Sequence, residues 1–203
     1  MKRLRMRQMF AVLCLCPVAA AQSGGESPAK TYITKYYIAD AAPDSTFETG
    51  FLHIVYSDGS EVVQEIPAKK TSTETNAVFN QEGFSDVQLA EDRQTIGWAE
   101  MYDNCCTSYS VPLAVVLYRS GKVRCHLQSG QMMWNWMFLK RGARVAIVWG
   151  PTHGPEIGDY RLYDVKSCKV LSQVYGDPET QALKNDAPEW TRVLEGKMHQ
   201  PTK

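Results

Sequence analysis

Between residues 31 and 176 the chain consists of short alternating or wholly apolar segments that are separated by turn residues. Alternation of apolar and polar positions with a period of two is typical of strands that bury one face. No window of this region keeps a helical period over a comparable length. The pattern therefore predicts an all-β domain over residues 31–176.

These segments form an approximate internal repeat of about 45 residues, which is the size of a four-stranded unit. Two complete units cover residues 86–128 and 135–176, and each has tight turns after its first and third strands and a longer loop after its second. Residues 31–67 match the last three strands of the same unit. We therefore expect antiparallel four-stranded meanders, two complete and one partial, with a β-sandwich as the alternative fold.

An apolar residue followed by tyrosine precedes the last hairpin turn of each unit, at Val55-Tyr56, Leu117-Tyr118 and Leu162-Tyr163. With these motifs the region resembles the repeats of WD-type and TolB-type β-propellers. The resemblance implies about two and a half blades, whereas closed propellers have about four to eight. Open sheet edges are then expected to be capped or paired, for example in a homo-oligomer.

Residues 177–203 have a different pattern, with two short helical segments in place of strands. Asp177-Pro178-Glu179 is a helix-start signal, and a second segment over residues 188–195 is expected to end at Gly196. The apolar residues of this second segment share one face, and they are Trp190, Val193 and Leu194. We expect this helical tail to cover an open edge or face of a sheet.

The first 21 residues have the three-part pattern of a secretory signal peptide, with a basic start, an apolar stretch and small residues before Gln22. The apolar stretch has about 12 residues and is too short to span a bilayer. We expect cleavage after Ala21 and a flexible lead-in over residues 22–30. The protein is therefore predicted to be exported, either to the periplasm or out of the cell.

Export would change the charge of the protein. The whole chain has 22 basic and 22 acidic residues, and the first 21 residues hold four basic and no acidic ones, so residues 22–203 carry a net charge of −4. No basic run occurs in residues 22–203, and we expect no nucleic-acid partner. We also expect no membrane span, which leaves a protein or a small molecule as the unknown ligand.

Four cysteines follow residue 21, namely Cys105, Cys106, Cys125 and Cys168, and an oxidising compartment permits disulfides among them. The adjacent pair Cys105-Cys106 can form a vicinal disulfide. One of the two can instead bridge to Cys125 or Cys168, or both can stay thiols or bind a metal. These alternatives stay open at the level of the sequence.

The longest connection inside each unit joins its second and third strands, at residues 43–50, 103–112 and 152–158. In an antiparallel meander these connections emerge at one end, and long loops commonly form binding faces. The side chains expected to converge there are Asp44, Glu48, Asp103, Asn104, Cys105, Cys106, His153 and Glu156, with Trp134 near the same end.

Aromatic and histidine side chains within the strands are expected to be structural. Alternation places Trp134, Trp136 and Phe138 on one face of a first strand, where packing between units explains them; the alternative is a ligand platform that contains Trp134. His53 and His126 lie in strands, where an imidazole faces solvent or has a structural partner.

The sequence thus predicts an exported, non-enzymatic module for ligand binding or protein interaction, with no cofactor and no metal. No P-loop, Gly-x-Gly-x-x-Gly or Gly-x-Ser-x-Gly motif occurs in the chain. The alternative is a small exported hydrolase or metal enzyme centred on Asp103, Cys105, Cys106 and His153. In that enzyme the thiols and the imidazole would form a nucleophile pair or bind zinc.

Overall fold

The computed structural model describes residues 31–39, 49–64, 70–72, 78–104, 109–152, 157–176 and 188–198. These residues belong to one compact unit, Thr31–Lys203. The strands are β1 (Ile33–Ala39), β2 (Phe51–Tyr56), β3 (Glu61–Gln64), β4 (Lys70–Ser72), β5 (Val78–Leu89), β6 (Thr95–Tyr102), β7 (Val111–Arg119), β8 (Lys122–Leu127), β9 (Met132–Leu139), β10 (Arg144–Gly150), β11 (Gly158–Asp164) and β12 (Val170–Gly176). A 3-10 turn, Lys140–Gly142, joins β9 to β10, and one helix, α1 (Glu189–Met198), follows β12.

The strands form three antiparallel sheets in which neighbours in the chain are neighbours in the sheet. Sheet 1 contains β1 to β3, sheet 2 contains β4 to β8, and sheet 3 contains β9 to β12. The partial unit predicted from the sequence is sheet 1, and the two complete units are β5 to β8 and sheet 3. The all-β meander prediction is confirmed, and none of the described sheets closes into a barrel.

Sheet 2 has one strand more than the repeat predicts. The start of β5 lies before the predicted unit and pairs with β4, from Lys70 opposite Asn80 to Ser72 opposite Val78. The added strand is short and polar, so its sequence shows no alternation that could reveal it.

The three sheets stack face to face, and sheet 2 lies in the middle. The layer between sheets 1 and 2 contains Ile33, Leu52, Ile54, Phe84, Ile96, Trp98, Val116 and Tyr118. The layer between sheets 2 and 3 includes Ala99, Val115, Leu117, Trp136, Val145, Ile147 and Trp149. Because both faces of sheet 2 are covered, every residue of β6 is buried, and the strand is mostly apolar along its whole length.

The helix covers the outer face of sheet 3, as the pattern of the tail predicts. Leu194 is completely buried and, with Trp190, packs against Val148 and Tyr160 of the sheet. The side-chain amide of Asn135 in β9 donates a hydrogen bond to the Leu194 carbonyl oxygen at 3.1 Å. This layer removes the apolar outer face of sheet 3 from water and stabilises the end of the stack.

Two details of the helix differ from the prediction. Val193 does not join the apolar face and is 43% exposed. Gly196 does not end the helix, which continues to Met198; it lacks the positive φ of a glycine cap, and a β-carbon there would meet no atom within 4 Å. The first predicted helical segment, over residues 177–186, lies outside the described residues.

No helix among those described is long and apolar enough to cross a membrane.

A β-bulge changes the face on which one aromatic residue lies. The pairing of β9 with β10 shifts between Val148 and Trp149, which leaves Trp134 without a partner in the register. The extra residue reverses the alternation before it, so Met133 and Trp136 face sheet 2 while Trp134 packs in the layer beneath the helix. The prediction of a shared face is therefore wrong for Trp134, and so is its predicted packing between units, because its ring packs in the layer beneath the helix.

Candidate ligand-binding site

Most of the predicted loop site lies outside the described residues, namely Asp44, Glu48, Cys105, Cys106, His153 and Glu156. Asp103 is described, and its carboxylate accepts hydrogen bonds from the backbone N–H of Asn80 at 2.5 Å and from its side-chain amide at 2.8 Å. Asp103 thus links β5 to the end of β6. Asn104 has a buried side-chain nitrogen for which the described residues provide no hydrogen-bond partner.

Trp134 has a structural position at the same end of the strands. A β-carbon added at Gly150 would lie 2.1 Å from the Trp134 ring, so the ring rests directly on the glycine backbone. The ring also belongs to the apolar layer that α1 covers. This placement separates Trp134 from Asp103, whose strand lies in sheet 2.

A disulfide joins Cys125 to Cys168, with 5.6 Å between their α-carbons. Cys125 lies in β8 on the face toward sheet 3, and Cys168 lies in the turn between β11 and β12. This bond excludes the alternative in which Cys105 or Cys106 bridges to either of them. The sequence shows both cysteines close to hairpin turns, but only the stacking of the sheets places those turns side by side.

Four hairpin turns of sheets 2 and 3, with their flanking residues, lie at one end of the strands, which we call the turn end. They cover residues 90–95, 119–124, 139–144 and 164–170. Half of the 18 basic residues that follow residue 21 lie in these segments: Arg93, Arg119, Lys122, Arg124, Lys140, Arg141, Arg144, Lys166 and Lys169. Only three acidic residues accompany them, Glu91, Asp92 and Asp164. The turn end is thus basic on a chain that is otherwise acidic.

Between these turns lies a cleft with a volume of about 650 Å³, which is within the usual range for small-molecule sites. We call it the basic cleft. Its lining comprises Arg119, Ser120, Lys122 and Arg124 of sheet 2, and Gly142, Ala143, Asp164, Val165 and Lys166 of sheet 3. Four cations and one carboxylate therefore face one space.

The cations of the basic cleft differ in how they are held. Arg119 donates hydrogen bonds to the Asp92 carboxylate at 2.8 Å and to the Thr95 hydroxyl at 2.7 Å. The Arg124 guanidinium crosses to sheet 3 and donates to the Lys166 carbonyl oxygen at 3.3 Å. Within the described part of the chain, no acidic side chain forms an ion pair with Lys122, Arg124 or Lys166.

The one carboxylate in the lining, Asp164, forms its hydrogen bonds within its own turn. Asp164 accepts hydrogen bonds from the Ser167 hydroxyl at 2.7 Å and from the Ser167 backbone N–H at 2.8 Å. These bonds, with the hydroxyl as the larger cause, lower the pKa of Asp164 below its ordinary value. Asp164 is therefore ionised at neutral pH and offsets one of the four positive charges.

Close contact between turns fixes the shape of the cleft. Gly142 has a φ of +89°, and a β-carbon at this position would lie 2.6 Å from the β-carbon of Ala90 in the turn of sheet 2. Glycine is required here both by the backbone conformation and by the approach of the two turns. Ser120 and Gly121 have φ values of 52° and 76°, as expected for a two-residue hairpin turn.

A second polar cluster lies on the face of sheet 2 toward sheet 1. Glu100 is 1% exposed; it accepts a hydrogen bond from the Tyr102 hydroxyl at 2.7 Å, and Nε2 of His126 lies 2.6 Å from the same oxygen. Ala114 stands opposite Glu100 in the strand between them, and its small side chain leaves room for the imidazole to reach across. Burial and then the hydrogen bond to Glu100 raise the pKa of Tyr102.

Both histidines described in the strands have acidic partners, which confirms the structural interpretation of their sequence positions. His53 contacts Glu61 on the outer face of sheet 1 and stacks on Tyr37, with ring centroids 4.6 Å apart. Neither partner could be identified from sequence alone, because Glu100 reaches His126 across an intervening strand and Glu61 belongs to the strand beside His53.

No group of three or more metal-ligating side chains occurs in the described ranges. No protein-family model matches the chain, and no curated protein or solved structure matches it.

Proposed function

We propose that this protein is an exported binding module that holds an anionic ligand at its turn end. The observation that carries the proposal is the convergence of nine basic residues in four neighbouring turns. A cluster of like charges creates a local positive potential, which concentrates anions and speeds their association.

Export is supported by two observations. The Cys125–Cys168 disulfide is of the kind that persists in oxidising compartments and is rare in the cytosol. The first 21 residues have the pattern of a secretory signal peptide.

The propeller resemblance supports the proposal through geometry. Stacked four-stranded meanders place the turns of successive units next to one another, so cations from separate units contribute to one surface. The side chains gathered there are lysines and arginines, which bind oxyanions through charge and hydrogen bonds.

The end of the strands opposite the turn end, where Asp103 and Asn104 follow β6, is called the loop end. One observation makes it a second binding candidate. The buried side-chain nitrogen of Asn104 has no hydrogen-bond partner among the described residues, so a ligand carbonyl or carboxylate could accept a hydrogen bond from it. The enzyme alternative has Asp103 as its one described member, and the Asp103 carboxylate is already hydrogen-bonded to Asn80.

The proposal is tested by the salt concentration at which the exported protein elutes from phosphocellulose. We expect retention at low salt in spite of the net negative charge, because the turn end contacts the phosphate groups. The double variant Lys140→Glu with Lys169→Glu should elute at clearly lower salt. The control Arg192→Glu with Lys197→Glu makes the same change in net charge in α1, outside the four turns, and should elute close to the unmodified protein.

Absence of retention would overturn the proposal, as would equal effects of the two double variants. Loss of binding on Asn104→Ala, with no effect of the turn-end variant, would move the ligand to the loop end.

A further inference from the structure

We infer that the basic cleft is a specific site for the phosphate groups of a small ligand, with Lys122, Arg124 and Lys166 as its contact residues. This inference rests on the proposed function and deepens it, because it names one site and one ligand class within the turn end. The chemistry required is a compact oxyanion with at least two negative charges, as in a diphosphate or a phosphate monoester.

The charge of the cleft favours a multiply charged anion. Its lining carries four cations and one carboxylate. Arg119 is already paired with Asp92, and Asp164 is bound within its own turn. Among the described residues, Lys122, Arg124 and Lys166 therefore face the space without an acidic partner in an ion pair. Three like charges in one cleft repel each other, and a diphosphate would remove this repulsion on binding.

The position of Arg124 suits a phosphate group. Its guanidinium bridges the two walls, and one of its nitrogens donates to the Lys166 carbonyl oxygen. This contact orients the planar group and leaves other N–H donors for a ligand, and a guanidinium binds phosphate through two parallel hydrogen bonds. Lys122 on one wall and Lys166 on the other would contact the anion as compact charges.

The size of the cleft indicates more than an inorganic ion. A volume of about 650 Å³ is enough for a drug-sized molecule. Gly142, Ala143 and the buried Val165 give part of the lining an uncharged surface. The body of a phosphorylated molecule would contact this surface while its phosphates contact the cations.

The walls of the cleft are held in place before any ligand binds. Cys125 directly follows Arg124 in β8, and Cys168 lies in the same turn as Lys166. The disulfide therefore fixes the sheet 2 wall and the sheet 3 wall of the cleft to each other. A site held in its bound geometry loses less conformational entropy on binding, which raises affinity.

The test is titration calorimetry of the exported protein with pyrophosphate at constant ionic strength. We expect Lys122→Gln with Lys166→Gln to lower the affinity about tenfold or more. The control Arg141→Gln with Lys169→Gln removes the same charge from the turn end outside the cleft lining and should lower it less than about threefold. Arg124→Lys keeps the charge but loses the planar fork, and it should give an intermediate loss.

Melting temperatures of all variants identify any loss that is caused by unfolding, and Arg124→Lys keeps the test valid if the double variant does not fold. Equal losses for the two pairs would overturn the inference and leave the proposed function standing, because binding would then follow charge at the turn end as a whole. Retention on phosphocellulose without pyrophosphate binding would also overturn the inference and leave the proposed function standing. Failure of both experiments would overturn both proposals.

Vesicles of phosphatidic acid in phosphatidylcholine distinguish the source of the phosphate, because the phosphatidic acid headgroup is a phosphate monoester. Vesicle binding that pyrophosphate displaces supports the inference with a lipid headgroup as ligand. Pyrophosphate binding without vesicle binding supports it with a soluble ligand. Vesicle binding that pyrophosphate does not displace would exclude a headgroup as the ligand of the cleft.

Discussion

The turn end and the loop end of the sheets differ in charge and in how they are held together. The turn end holds nine basic residues, whereas the three long connections at 43–50, 103–112 and 152–158 contain four acidic residues and no lysine or arginine. The disulfide joins sheets 2 and 3 at the turn end. At the loop end, the Asp103 carboxylate accepts hydrogen bonds from Asn80 within sheet 2, and the Asp159 carboxylate accepts hydrogen bonds from Arg161 and Gln173 within sheet 3.

This difference teaches that loop length alone does not locate a charged site. Long connections commonly form binding faces because they vary easily. A cleft lined by like charges, however, needs walls that resist mutual repulsion. Short turns, a glycine that permits their close approach and a covalent bond between sheets provide such walls at the turn end.

The largest effect is expected from removal of the disulfide. Its two cysteines are separated by 43 residues, and the loss of loop-closure entropy predicts that Cys125→Ser with Cys168→Ser lowers the free energy of unfolding by about 4 kcal/mol. Urea denaturation measures this change. The control Cys105→Ser with Cys106→Ser should have a much smaller effect, since a bond between adjacent residues closes no long loop. A similar loss of unfolding free energy for both variants would mean that cysteines stabilise the loop end as much as the disulfide stabilises the turn end.

The next effect compares an acidic side chain at each of the two ends. Glu100→Ala removes a buried carboxylate and leaves Tyr102 and His126 without their partner, so we expect a loss of about 3 kcal/mol in the free energy of unfolding. Glu91→Ala breaks a pair with Arg141 in which both side chains are largely exposed, and it should change stability little. Thermal and urea unfolding of both variants measures the two changes. Equal losses in the free energy of unfolding would contradict the expected difference between the buried and the exposed carboxylate.

The smallest effect is a pH dependence at the turn end. The pKa of Asp164 is lowered in the folded protein, so its contribution to stability is present above the unfolded pKa of about 3.9 and is lost as the pH falls through the folded pKa. Asp164→Asn should therefore be less stable than the unmodified protein at pH 7, and the difference should disappear in strong acid. Urea midpoints across this pH range measure it.

Asp58 provides a matched control in sheet 1, because hydrogen bonds from Ser60 lower its pKa in the same way. Asp58→Asn should show the same pH dependence of stability. Only Asp164→Asn should strengthen pyrophosphate binding, since it removes the one negative charge from the basic cleft. Equal effects on binding would contradict the placement of the site.

Features that depend on neighbouring residues could be predicted from the sequence. The alternation of apolar and polar positions located the strands of all three sheets except β4, which is too short and polar to alternate. Three features escaped prediction for a different reason, since each depends on a partner in another strand or sheet: the bulge at Trp134, the Cys125–Cys168 pairing and the contact of Glu100 with His126.

The same distinction between local features and features that depend on tertiary contacts applies to the candidate site. The sequence by itself determined the strands, the hairpin turns and the acidic balance of residues 22–203, because strand alternation and turn chemistry act over a few residues. The sequence after residue 21 contains no basic run, because the cations of the cleft are distributed over two separate turns of the chain, residues 119–124 and 164–170. Only the stacking of sheets 2 and 3 decided that these turns meet, because burial of the apolar layer between the sheets brings their ends together and the disulfide holds them there.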